Sequence, residues 1–163
     1  MSRPEADLWD FAGVDGLELA CEVFGPEAHK LSVYHSLEIS LLGAEGSLLR
    51  LGENNFRLSH PDASGTLTTA AAGKRVWVKQ STLTHLTLGV DALDRLLKIS
   101  IVKPPHRLAG LPNDRAVPVR IDGSAALVWH HHGIFEVQTA QRCAENSISP
   151  LPLSALLALA EPH

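Results

Sequence analysis

Cysteine is almost absent from this chain: Cys21 and Cys143 are the only two among 163 residues, and neither belongs to a CxxC pair. That spacing excludes a disulfide scaffold and a thiolate zinc knuckle, and leaves each cysteine to serve as a small buried hydrophobe. Aromatic residues make up only 5% of the sequence. Between residues 63 and 120 the one aromatic is Trp77, which leaves nucleic-acid bases little to stack on. No apolar run approaches the roughly 18 residues that a membrane span requires. The opening Met1-Ser2-Arg3-Pro4-Glu5-Ala6-Asp7 is acidic where a secretory signal carries a basic start and an apolar run. A bacterial-type, soluble cytoplasmic protein is the expectation. GxSxG, a Walker glycine loop, GxGxxG and HExxH are also missing, so acyl transfer, nucleotide hydrolysis and common metalloprotease chemistry have no support.

What is present fits one globular domain over residues 1–163, since 45% hydrophobic content in a chain of this length fills one core. The net charge of −4 hides segregation. Residues 1–62 hold 11 acidic against 4 basic side chains, residues 63–120 hold 3 against 9, and residues 121–163 hold 4 against 1. The middle third is therefore basic between two acidic parts, with Arg95, Lys98, Lys103, Arg107, Arg115 and Arg120 as its densest run. Such asymmetry marks either an anionic partner or neutralisation by the acidic strands within the fold.

Periodicity predicts a mainly β, β-rich α+β fold: an antiparallel sandwich or partly closed barrel of eight or nine short strands, one covering helix and a short C-terminal helix. Leu17 to Phe24 alternates as a half-buried strand ended by Gly25-Pro26, and Leu31 to Leu41 alternates again, with His35 on the apolar face. Gly43 to Gly46 reads as a hairpin loop, and Ser47–Leu51 as the returning strand. After the Gly52–Asn55 turn come short strands at 56–58 and 66–69, separated by a break at 60–65. There His60-Pro61-Asp62 reads as a turn rather than an acid/base pair. Arg75 to Leu88 is long for one strand, and its phase change near Gln80 and Ser81 suggests a bulge. Val90, Leu93, Leu96 and Leu97 recur at helical spacing. Val117, Val119 and Ile121 lead into Asp122-Gly123, the strongest two-residue hairpin signal, which pairs Val119 with Ala126 and Val117 with Val128. Leu151 to Ala160 reads as a terminal helix, placing an apolar segment at 150–163 against the domain.

Chemistry concentrates in His130, His131 and His132, inside a run from Leu127 to Gln138 that reads as one strand. Alternation puts His130 and His132 on one face, with Glu136 on the same parity. Two imidazoles and a carboxylate with open positions suit zinc or non-haem iron, and His35 or His85 is the candidate third imidazole. The opposite parity, Leu127, Trp129, Phe135 and Val137, is the more apolar. Either both faces are covered, or the phase changes near Gly133. The string His130-x-His132-x-x-x-Glu136 resembles the first metal motif of cupin barrels. Gly123 stands one residue too far upstream, no glycine follows Glu136 at the expected place, and 27 residues remain for a second motif. The family is not assigned.

Three functional readings follow, in order. The first is a non-catalytic binding or assembly module that docks onto another macromolecule, above all a protein, through its segregated charge. The second is a metal-dependent enzyme acting on a small molecule through His130, His132 and Glu136. The third is a nucleic-acid accessory subunit whose Lys98, Lys103, Arg107, Arg115 and Arg120 contact phosphates. Sequence alone leaves the cofactor, and whether the chain is an enzyme, open.

Overall fold

The computed structural model describes residues 7–81, 84–121 and 123–139. Its backbone divides into two compact units after Ser81. Each unit contains one five-stranded sheet in which every pairing is antiparallel. The chain is thus mainly β as expected, with ten strands among the described residues and two open sheets in place of a barrel.

The first unit contains β1 (Asp7–Ala12), α1 (Gly16–Phe24), α2 (Glu27–Lys30), β2 (Ser36–Leu41), β3 (Ala44–Gly52), β4 (Asn55–His60), α3 (Ser64–Ala71) and β5 (Trp77–Gln80). Its strand order is β2-β3-β4-β1-β5. The expected strand at 17–24 is a helix. Its apolar residues satisfy both periods, because Leu17, Ala20, Cys21 and Phe24 also recur at i, i+3, i+4 and i+7. Tertiary packing selects the helix: the consecutive residues Leu19 and Ala20 are both fully buried, which a strand with one wet face cannot achieve. Asn54 fixes the helix start, since its Oδ1 accepts the Leu17 N–H at 3.2 Å, a donor that the first turn leaves orphaned. A side chain at Gly16 would strike the Asn54 carbonyl.

The expected strand at 66–69 is likewise helical, within α3. Its threonines suggest a strand, but Leu67, Ala70 and Ala71 pack at helical spacing into the core. The alternation before Leu41 is strand only from Ser36 onward; Leu31 ends α2, and Val33 is exposed. Leu42 and Gly43, both at positive φ, make a two-residue hairpin turn one residue before the expected loop. The core on one face of the sheet joins Phe11, Leu48, Phe56 and Leu58 to Leu19, Ala20, Ala28 and Leu67. Phe11 stacks between Phe56 (5.3 Å) and Phe24 (6.4 Å).

The second unit contains β6 (Thr84–Leu88), a 3₁₀ turn at Val90–Ala92, α4 (Leu93–Ile99), β7 (Ser100–Ile101), β8 (Arg115–Ile121), β9 (Ser124–His131) and β10 (Ile134–Thr139). The order is β6-β10-β9-β8-β7. The run 75–88 is two strands in two sheets, so the phase change near Ser81 marks the boundary between units and not a bulge. The predicted helix after Val90 is present as α4. Its Leu96, with Leu93 and Ile99, packs on Val117, Val119, Ile121, Val128, Phe135 and Val137. The β8–β9 register is the one read from Asp122-Gly123: Val119 faces Ala126 and Val117 faces Val128. Cys143, the terminal helix expected at 151–160 and the packing of 150–163 lie outside the described residues. Among the described residues, no helix is long and apolar enough to cross a membrane.

Candidate functional site

The histidine run does not lie in one strand. His132 and Gly133, at φ +51 and +72, form a two-residue turn, and β10 returns beside β9 with His131 opposite Ile134 and His130 opposite Phe135. The phase does change at Gly133, through a reversal of the chain. Positive φ at both turn positions matches the twist of the flanking strands, and glycine at the second carries no steric penalty there.

This hairpin redistributes the candidate ligands. His130 joins the core face, stacked on Phe135 at 4.3 Å, and its Nδ1–H donates to the Leu111 carbonyl at 2.8 Å. His132 is exposed in the turn. Glu136 lies opposite Trp129, on the other face from His130, and there it meets His131. His131 Nε2 approaches Glu136 Oε1 at 3.3 Å, and the Gln138 amide donates to Glu136 Oε2. The imidazole of His131 lies on the Trp129 indole at 3.7 Å. All four of these side chains are buried. The structure therefore brings Glu136 together with His131 rather than with His130 and His132. Among the described residues, no group of three or more His, Cys, Asp or Glu side chains is disposed to hold a metal ion. His35 belongs to the first unit, between the turn and β2, where its carbonyl accepts the Arg50 N–H at 3.0 Å, and the His85 side chain is outside the description.

The buried polar row is thus built around residue 131, the middle histidine. The signal for it was His132-Gly133: folding the sequence at that dipeptide places His131 and Glu136 diagonally across one face. Its chemistry is that of an internally satisfied cluster, in which each Glu136 oxygen accepts from a buried partner. His60, also fully buried, is held by its neighbours in a similar way. Its Nδ1 accepts the Asp62 N–H at 3.0 Å, which leaves Nε2–H to donate to the Leu41 carbonyl at 2.8 Å.

The five candidate partner-binding cations are all exposed. Lys98 lies in the last turn of α4, Arg107 lies in the following loop, and Arg115 and Arg120 begin and nearly end β8. Arg115 and Arg120 have opposite parity and point to opposite faces. Lys103 and Arg120 come together around a groove of about 450 Å³, which Ile101, Pro104, Pro118 and Ala125 also line. Its one ring is the His106 imidazole; no Phe, Tyr or Trp lines it.

No known family profile matches the sequence, and no curated protein does. Solved structures do match in fold. An aminomethyltransferase T of the glycine cleavage system from Bartonella henselae superposes with a TM-score of 0.70 at 18% identity, over 94% of this chain and 43% of that one. A chain of the heterotetrameric sarcosine oxidase from Corynebacterium sp. U-96, a structure in complex with pyrrole 2-carboxylate, gives 0.60 at 17% identity over 82% and 71%. The chain spans less than half of the aminomethyltransferase chain it resembles, and its fold is similar to parts of these two enzymes.

Proposed function

We propose that this chain is an accessory component of a multi-subunit enzyme, acting by docking onto a protein partner rather than by performing chemistry itself. The observation that carries this reading is the likeness to 71% of one chain of a heterotetrameric enzyme. A fold that makes up most of one subunit in such an assembly is suited to the same use here. Two features of the chain support it. The buried polar side chains Glu136, Gln138 and His131 bond to one another, so this cluster is internally satisfied and does not line an open pocket among the described residues. Two of the exposed cations, Lys103 and Arg120, by contrast, line a largely apolar groove.

Native mass spectrometry on the chain purified from its own cells through a small affinity tag is the test. The expected result is a complex of fixed stoichiometry containing this chain and at least one enzyme subunit, dissociating with salt. A chain that elutes and flies as a monomer at native abundance refutes the reading.

A further inference from the structure

The groove in the second unit has a chemistry specific enough to describe its occupant. Its floor is apolar: Ile101, Pro104, Pro118 and Ala125. Ile101 is 67% exposed, and with the two prolines and Ala125 beside it forms a contiguous apolar surface rather than a lone exposed residue. Lys103 and Arg120 stand at its sides, and among the described residues no carboxylate lines it. From Arg95 to Arg120 the sequence carries six cations and one acid, Asp114. This excess attracts an anionic partner, while the floor demands an apolar one.

Backbone geometry limits how the occupant binds. The two-residue β8–β9 hairpin makes Ile121 and Ser124 a hydrogen-bonded pair, so the nitrogens of even-numbered β8 residues point away from β9, toward the sheet edge. On that edge β7 covers only Arg120 and Ile121. The next edge-facing nitrogen belongs to Pro118, which has no N–H to donate, so a further strand cannot add continuously there. Side chains, rather than a backbone ladder, must hold the occupant. Nucleic acid fits poorly, because the His106 imidazole is the one ring in the lining, with no Phe, Tyr or Trp on which successive bases could stack.

We propose that this groove receives a segment of the partner protein in which apolar side chains alternate with acidic ones, the apolar groups on Ile101 and Pro118 and the carboxylates on Lys103 and Arg120. The proposal rests on the accessory-subunit reading and adds where, and by what chemistry, the partner is held.

The probe is a fluorescein-labelled eight-residue peptide alternating glutamate and leucine, read by anisotropy and by amide chemical-shift mapping on the full chain. Control peptides alternate glutamate with glycine and lysine with leucine. Saturable binding of the first peptide alone, with shifts at Ile101, Lys103 and Arg120, supports the site. So does a loss of about tenfold in affinity for Lys103→Glu/Arg120→Glu. Ile101→Asp tests the floor separately, and unchanged far-ultraviolet dichroism verifies both folds. Equal binding of the glycine peptide, unaltered affinity in either variant, tighter binding of a single-stranded oligonucleotide, or concentration-dependent dimerisation abolished by the same variants would each overturn it. Native complexes separate the two levels of the argument. A Lys103→Glu/Arg120→Glu chain that still enters the complex at full stoichiometry overturns the groove alone, whereas a wild-type chain without any partner overturns the accessory reading beneath it.

Discussion

Removing Arg57 tests the first unit at its most exacting electrostatic contact. Asp10 on β1 and Arg57 on β4 are direct cross-strand neighbours. The guanidinium donates from Nε to Oδ1 at 2.7 Å and from a terminal nitrogen to Oδ2 at 3.2 Å, with side-chain exposures of only 12% and 13%. Breaking a fully buried pair costs about 3–5 kcal/mol, and an exposed one about 0–1 kcal/mol. This geometry lies near the buried limit. Lys79, opposite Asp10 on β5, returns part of the loss by turning from its place over the Trp77 ring. Arg57→Met is therefore expected to destabilise the sheet by about 2–3 kcal/mol. Asp10→Leu/Arg57→Met, which leaves no charge stranded, should come within about 1 kcal/mol of wild type. Hydrogen exchange read on β1 and β4 peptides reports this sheet by itself, and the single variant should exchange roughly 30 to 150 times faster. A change below threefold, or a double variant as weak as the single, would show that the pair is solvated and that the argument from its burial is wrong.

Phe11→Ala deletes a ring stacked on both Phe24 and Phe56 and should cost about 3–5 kcal/mol in the same exchange measurement; a loss under about 1 kcal/mol would contradict that packing. The His130→Ala/His132→Ala double variant should carry the same zinc and iron per chain as wild type when both are purified without immobilised-metal resin, and stoichiometric metal lost in the variant would restore the metal reading. Asp15 should titrate below its ordinary value, because the Arg75 backbone N–H and then its guanidinium bond to the carboxylate. Carboxyl-carbon NMR should find Arg75→Ala raising that pKa only in part, since the backbone donor remains. With the folded pKa depressed, the stabilising contribution is present above the unfolded pKa and disappears as pH falls through the folded one. The Glu22 carboxylate beside Lys74 raises the lysine pKa, so that contribution is present below the unfolded value and lost as pH rises through the folded one.

The elements that were legible in the sequence are those whose local chemistry allows one outcome. Asp122-Gly123 admits a tight turn and fixes the β8–β9 register residue by residue. α4 carries its apolar residues at helical spacing, with acids early and bases late. The misread elements allow two outcomes. α1 satisfies periods 2 and 3.6 together, and only burial of adjacent Leu19 and Ala20 separates them. At 132–133 the turn needs a non-glycine residue at positive φ, which is uncommon, while the strand-forming residues on both sides continue the pattern through it. The same X-Gly arrangement turns the chain at Leu42-Gly43. Reading all three dipeptides alike would have placed Glu136 beside His131. The boundary after Ser81 has one local sign, the phase change there, which a bulge would give equally, because β5 and β6 are both rich in strand-forming residues and partner choice is a long-range property.

The first unit also closes on itself between its first and last described strands. The Ser81 N–H donates to the Leu8 carbonyl at 2.8 Å. A segment whose entry and exit points touch can be spliced into a loop of another protein, or reopened at a different point, without stretching its host. Joining position 7 to 81 through a short linker and opening the chain at Leu42-Gly43 should therefore yield a permuted first unit with its five-strand order intact. The pairing of its ends gives the first unit the geometry of a cassette, a piece whose insertion asks its host only for two neighbouring attachment points.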